Sequence, residues 1–145
     1  EATRQIWTEE GWLRTGDIAR LDNTGNVVIC GRKKDMIIRG GTNIYSAEIE
    51  NLIGSHPKVA DVAVVAMPDP IMGEKVCAYV SSTTGKSLNF DEMVAYLKEE
   101  NLTTFKIPER LEIMERLPLG KTGEKTDKEA LRKDIAAKLE AEGKA

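Results

Sequence analysis

A chain of 145 residues is long enough for one hydrophobic core with an appendage and too short for two full domains. Its 41% hydrophobic and 31% charged residues exclude a disordered chain. A net charge of −3 excludes an overall positive field toward nucleic acid or an anionic membrane, so any anion site has to be local.

The chain opens on Glu1-Ala2-Thr3-Arg4-Gln5, with no basic cap before an apolar stretch, so no secretory leader is expected. The lack of a methionine at position 1 points to a fragment. Residues 12–21 and 26–30 read as two extended runs around Asp22-Asn23-Thr24-Gly25, which predicts a hairpin. The charged stretch Gly31-Arg32-Lys33-Lys34-Asp35 interrupts the apolar pattern and marks a joint before a short strand at Met36-Ile37-Ile38. Gly40-Gly41 ends that strand. Ser46 is then placed to cap a helix carrying Ile49, Leu52, Ile53 and His56 at spacings of three and four, with Glu48 and Glu50 suited to its positive N-terminus.

Residues 59–67 are rich in valine and alanine and read as the central core strand. Met67-Pro68-Asp69-Pro70 is expected to stop its ladder before a second strand at 75–80, paired antiparallel. The longest apolar run, residues 62–67, is far below the roughly 18 to 20 needed to span a bilayer, so no transmembrane segment is expected. Asn89 and Glu92 form a capping box for a helix with Phe90, Met93, Val94 and Leu97 on one face. Ile107-Pro108 leads into a strand at 111–114, then a loop at 117–125 with Pro118, Gly120 and Gly123. Thr126 and Glu129 read as a second capping box for a terminal helix with the stripe Leu131, Ile135 and Leu139. The whole predicts an α+β fold: a small, mainly antiparallel sheet with packed helices, preceded by a β-hairpin.

The single histidine, His56, precedes Pro57 and reads as a helix-end or turn residue and not as a catalytic base; one histidine cannot build a multi-histidine zinc site. Cys30 and Cys77 lack the short spacing of a metal knuckle or redox pair, which fits a reducing cytoplasm, and no metal ligands are assigned.

Three ordered stretches carry a resemblance: Arg14-Thr15-Gly16-Asp17, the run GRKKDMIIRGGTNIYSAEIE at residues 31–50, and PLGKTGEKTDKEALR at residues 118–132. Together they resemble landmarks of the adenylate-forming superfamily, and IIRGGTNIYSAEIE looks most like its acyl-CoA synthetases. The resemblance implies a C-terminal fragment of an ATP-dependent carboxylic acid:CoA ligase, inactive alone. Residues 1–33 would end the larger N-terminal domain and residues 34–145 would form the mobile lid. The phosphate-gripping loop and the acyl pocket would belong to the missing N-terminal domain.

The resemblance also implies roles. Asp17 matches the ribose-binding acid, a carboxylate able to accept from both ribose hydroxyls; its bland alternative is a turn cap. Arg32 matches the nucleotide-facing arginine, and a solvated charge is the alternative. Lys34 falls at the hinge. Gly40 and Gly41 match the loop lining the tunnel for the CoA arm, and the same pair also suits a positive-φ turn. Asn43 stands where some relatives carry a basic residue. Lys125 matches the adenylation lysine if one residue is inserted after Gly123, with Lys121 as the rival. ATP and CoA are the implied substrates, with Mg2+ expected to accompany ATP on ligands outside this chain. Loading of a carrier protein, or a non-catalytic binding module, stand as alternatives.

Overall fold

In the computed structural model, which describes residues 6–144, the Asp22 carboxylate organises the turn between the first two strands. Its Oδ1 accepts from the Thr24 hydroxyl at 2.7 Å and from the Thr24 and Asn26 amides at 2.8 and 2.9 Å, and these bonds hold its pKa down at about 2. The turn joins β1 (Asp17–Leu21) to β2 (Val27–Arg32), antiparallel, with a bulge at Ile18/Ala19. The ladder is shorter than expected at its start: Asp17 pairs with Arg32, the last residue of β2, while residues 12–14 turn back on residues 6–8 instead, with Trp7 and Leu13 forming an antiparallel bridge and the Arg14 amide donating to the Ile6 carbonyl at 2.7 Å. Residues 1–5, read above for a leader, lie outside the described residues.

Backbone contacts divide the chain into Glu1–Lys34 and Asp35–Ala145, the break falling inside a 3-10 turn at Lys33–Asp35. In the second unit, β3 (Met36–Arg39) pairs antiparallel with β4 (Thr42–Tyr45), a strand the sequence reading did not anticipate. Helix α1 (Ser46–Gly54) follows, and its N-cap is Tyr45, with no side-chain cap bond. Ser46 does not cap it: the residue lies inside the first turn, 5% exposed, and its hydroxyl accepts from Lys128.

Strands β5 (Val59–Asp69) and β6 (Gly73–Ser82) pair antiparallel along their whole lengths. Pro68 and Asp69 stay in that ladder, opposite Glu74 and Gly73, so the expected stop at Met67 does not occur. A proline is tolerated there because β5 is an edge strand. The central strand is therefore β6, not β5: β6 takes β5 on one side and β3 and β7 (Arg110–Met114) on the other, β7 running parallel to it. Helix α2 (Phe90–Glu99) starts with the capping box of Asn89 and Glu92, as expected. Helix α3 (Lys128–Ala141) is capped by Asp127, whose carboxylate accepts from the Glu129 and Ala130 amides, not by Thr126.

The sheet is covered on both faces. Ile49 and Ile53 of α1 and Met93 and Leu97 of α2 pack with Val64, Val76, Ala78 and Val80 on one side. Leu131, Ile135 and Leu139 of α3 pack with Ala63, Val65, Cys77 and Tyr79 on the other, each such side chain contributing about 1.5–3 kcal/mol when fully buried. The result is the α+β fold predicted above. No helix among the described residues is long and apolar enough to cross a membrane.

Between the β3 and β7 contacts, β6 would leave backbone groups exposed to the core, and Glu109 closes that gap. Its amide donates to the Val76 carbonyl at 2.9 Å, its Oε2 accepts from the Val76 amide at 2.9 Å, and its Oε1 pairs with Arg39 Nε at 2.6 Å. Glu109→Ala is expected to destabilise the fold by about 2–3 kcal/mol, because it leaves a buried amide unsatisfied and a guanidinium without its partner. Glu109→Gln, which keeps an acceptor for Val76, is expected to lose markedly less; urea unfolding midpoints of the two variants check the difference.

Candidate functional site

The sequence singles out six positions, which the two units divide between them. Asp17 and Arg32 come together because they are directly paired across β1 and β2. Their side chains meet at 3.0 Å, Oδ1 to Nε, and Arg32 Nη1 also reaches the Thr15 carbonyl at 3.4 Å. Both remain open to solvent, at 33% and 51% exposure, so the pair contributes little to stability but stays available to a ligand. The Lys33 amide donates to the Gly16 carbonyl at 2.8 Å and closes the hairpin end. A cleft of about 460 Å³ opens there, lined by Gly16, Arg32, Lys33 and Lys34. Lys34 is exposed and is the last residue of the first unit.

Gly40 and Gly41 form the two-residue loop between β3 and β4, bounded by the pair Arg39 and Thr42. Their φ values of 54° and 83° suit the type I′ turn that such a hairpin favours. The Gly40 amide donates to the Met72 carbonyl at 2.8 Å, and a Cβ on Gly40 would stand 2.7 Å from the Met72 methyl. A Cβ on Gly41 would meet nothing within 4 Å. The turn thus accounts for both glycines, and only Gly41 borders open space. Asn43 lies opposite Ile38 on β4 and is exposed.

Lys125 and Lys121 share one loop but not one environment. The Gly120 amide donates to the Lys125 carbonyl and the Asp127 amide to the Pro118 carbonyl, each at 2.8 Å, while Leu119 and Thr126 form a bridge. Lys125 therefore stands at the hydrogen-bonded base of the loop. Lys121 sits in the tip, inside the turn closed by Gly123 N–H to Gly120 C=O at 2.8 Å. Both side chains are exposed.

Several ionic residues around this loop were not singled out from the sequence. Lys128 Nζ contacts Glu50 Oε1 at 2.6 Å and the Ser46 hydroxyl at 3.0 Å; Arg132 pairs with Asp35. Farther along α3, Tyr79 donates to Asp134 Oδ2 at 2.6 Å, and Lys138 bridges Asp134 and Glu112 at 2.8 and 2.7 Å. Burial and the Asp134 bond push the Tyr79 phenol far up, so this is a structural donor. Burial pushes the Cys77 thiol up to about 12, so it is not a nucleophile at neutral pH. His56 lies just past α1, its Nδ1 accepting from the Lys58 amide at 3.2 Å and its ring edge-on to Tyr96 at 4.8 Å.

A profile of the family described as the AMP-binding enzyme C-terminal domain matches residues 48–124, a span that stops short of Asp17, Arg32, Lys34, Gly40, Gly41 and Lys125. The chain is 44% identical over 140 residues to the medium-chain fatty-acid–CoA ligase of Escherichia coli, covering 96% of this chain and 25% of that protein. It is 42% identical over 133 residues to the 2,3-dihydroxybenzoate-AMP ligase of Bacillus subtilis, covering 92% of this chain and 24% of the relative. The crystal structure of ATP-bound MatB from Rhodopseudomonas palustris superimposes with a TM-score of 0.81 at 34% identity, over 92% of this chain and 26% of that one. The chain thus spans about a quarter of the length of the relatives it matches.

The turn geometry separates strain from steric block at Gly41. Gly41→Val is expected to cost about 1–2 kcal/mol, because a β-branched residue resists positive φ. Gly41→Asn is expected to cost less than half of that, since asparagine tolerates the left-handed region; thermal unfolding of both variants provides the check.

Proposed function

Because this chain belongs to the AMP-binding enzyme family, whose C-terminal domain it contains, we propose that it is the lid portion of an ATP-dependent carboxylic acid:CoA ligase. The observation that carries this reading is the 44% identity to a fatty-acid–CoA ligase along 96% of the chain. Residues 1–33 end the larger N-terminal domain and residues 34–145 form the mobile domain, hinged at Lys34. Leu21, Val27 and Ile29, all more than 60% exposed on the isolated hairpin, support that division, since a two-stranded ribbon cannot bury its own apolar face.

In the first step the carboxylate attacks the α-phosphate of ATP, forming an acyl-adenylate and releasing pyrophosphate. In the second a thiol attacks the acyl carbon, and AMP leaves as the thioester forms. Asp17 accepts from the ribose hydroxyls, which a carboxylate can do while keeping one lone pair on Arg32, and Arg32 donates to the nucleotide. The Lys125 ammonium bridges the substrate carboxylate and the α-phosphate, offsetting charge that grows in the first transition state without moving a proton. Rotation about Lys34 then withdraws Lys125 and brings the Gly40–Gly41 turn beside the CoA arm, where the open space over Gly41 suits a narrow ligand. Mg2+ accompanies ATP on ligands outside this chain. Without the larger domain, the isolated chain is inactive.

A second reading is that the acceptor is a carrier protein and not free CoA, since the comparable identity to a relative named as an AMP ligase supports the adenylating step and leaves the acceptor open. Transfer of the acyl group to free CoA by the full-length enzyme decides between them.

The assignment of Lys125 is tested in the full-length enzyme by separating the half-reactions. Lys125→Ala is expected to lower pyrophosphate exchange about 100-fold or more while leaving thioester formation from supplied acyl-adenylate near wild type. Lys121→Ala is expected to change either step less than about threefold, and the reverse ranking would move the role to Lys121.

A further inference from the structure

The first residue of α3 is a lysine, which the helix macrodipole disfavours at that end. Lys128 is held there by specific partners. Its ammonium lies 2.6 Å from Glu50 Oε1 and 3.0 Å from the Ser46 hydroxyl, and both charged side chains are only about one-fifth exposed, at 19% and 20%. The same Glu50 oxygen accepts from the Val64 amide at 2.7 Å, on the outer edge of β5. One helical turn on, Arg132 pairs with Asp35, with side chains 29% and 13% exposed. Four residues apart on one helix face, Lys128 and Arg132 thus tie α3 to the segment running from Asp35 to Glu50.

The apolar stripe of Leu131, Ile135 and Leu139 presses α3 onto the sheet but is non-directional, so it tolerates small slides and rotations of the helix. Charge-assisted hydrogen bonds are directional and fix what the stripe leaves loose. The loop carrying Lys125 ends two residues before Lys128, and its base is bonded at Pro118 and Gly120. Lys125 thus lies three residues before the start of α3, on a loop base continuous with its first turn.

We propose that Lys128, seated on Glu50 and Ser46, is a positioning residue for Lys125, and that Arg132 and Asp35 make the same helix rigid with the residue that follows Lys34. Rotation at Lys34 then carries the Lys125 loop as one body with the Gly40–Gly41 hairpin. This rests on the reading of Lys125 as the adenylation lysine.

The test uses the full-length enzyme, with pyrophosphate exchange and thioester formation from supplied acyl-adenylate measured separately. Lys128→Met keeps the stem and removes the charge. It is expected to lower the kcat of adenylation about 10- to 100-fold with KM for ATP changed less than about threefold, and to spare the thioester step. Lys128→Arg should restore most of the rate, and Glu50→Gln, which keeps an acceptor for Val64, should reproduce the Lys128→Met defect should the latter fold poorly. Equal loss in both steps, or no loss in either, overturns the proposal. Lys125→Ala assayed in parallel separates the two ideas. If it spares adenylation, the reading of Lys125 fails and the positioning role with it; if it abolishes adenylation while Lys128→Met and Glu50→Gln do not impair it, only the positioning role fails.

Discussion

Five consecutive residues of β6, Val76 to Val80, are completely buried, and the remaining architecture follows from what their backbone requires. Buried amides and carbonyls must be paired, and here no water reaches them. β5 pairs one side of β6 throughout. The other side is shared: β3 reaches only Gly73, and β7 covers Cys77 to Ser81. Glu109 spans the interval with both its amide and its carboxylate, and the spare carboxylate oxygen takes Arg39. Arg39 directly precedes Gly40. The bond that completes the central strand therefore also anchors the base of the Gly40–Gly41 turn.

The turn has a second support in the Gly40 amide bond to Met72, at the start of β6. That neighbouring turn is itself stiffened by Asp69, whose Oδ1 accepts from the Ile71 and Met72 amides while Oδ2 pairs with Lys75 at 2.6 Å. The Lys75 contact, followed by the amide bond from Met72, holds the Asp69 pKa down at about 2, so the carboxylate keeps its charge through the neutral range. Short exposed loops mounted on such bonded bases are how a small domain holds a ligand-facing backbone in place without a deep pocket.

Charged side chains in the second unit fall into two groups. Arg39, Arg110, Lys128, Arg132 and Lys138 are engaged with carboxylates and join elements distant in sequence. Lys121 and Lys125 project from a loop into solvent. Burial and partners account for the difference: the first group is held by carboxylates at element junctions, and the second lies on a loop whose side chains face water. The first unit differs: its hairpin leaves Leu21, Val27 and Ile29 uncovered, and the cross-strand ion pair of Asp17 with Arg32 faces solvent.

Period and punctuation made much of the fold legible. The stripe of Leu131, Ile135 and Leu139, the capping box at Asn89 and the turn at Asp22 are local devices whose partners lie within a few residues. The family likeness rests likewise on ordered linear stretches, which carry Asp17, Arg32, Lys34, Gly40, Gly41 and Lys125. What local pattern could not decide was which strand is central, because β5 is the more apolar of the two and yet lies at the edge, and only pairing places β6 between its neighbours. The short strand β4 is not legible in the sequence, since Thr42 to Tyr45 alternate too briefly to stand out against the helix that follows. Ser46 and Thr126 looked like caps by residue type; Tyr45 and Asp127 occupy those places because the approaching chain, not the side chain alone, sets where a helix begins. The contacts that tie α3 to the segment from Asp35 to Glu50, Glu50 with Lys128 and Asp35 with Arg132, join residues 78 and 97 positions apart, and no spacing rule reaches that far. Sequence determined the elements and the chemistry on offer; tertiary structure alone decided which charges are held and which are presented, because that depends on burial and on partners brought from elsewhere in the chain.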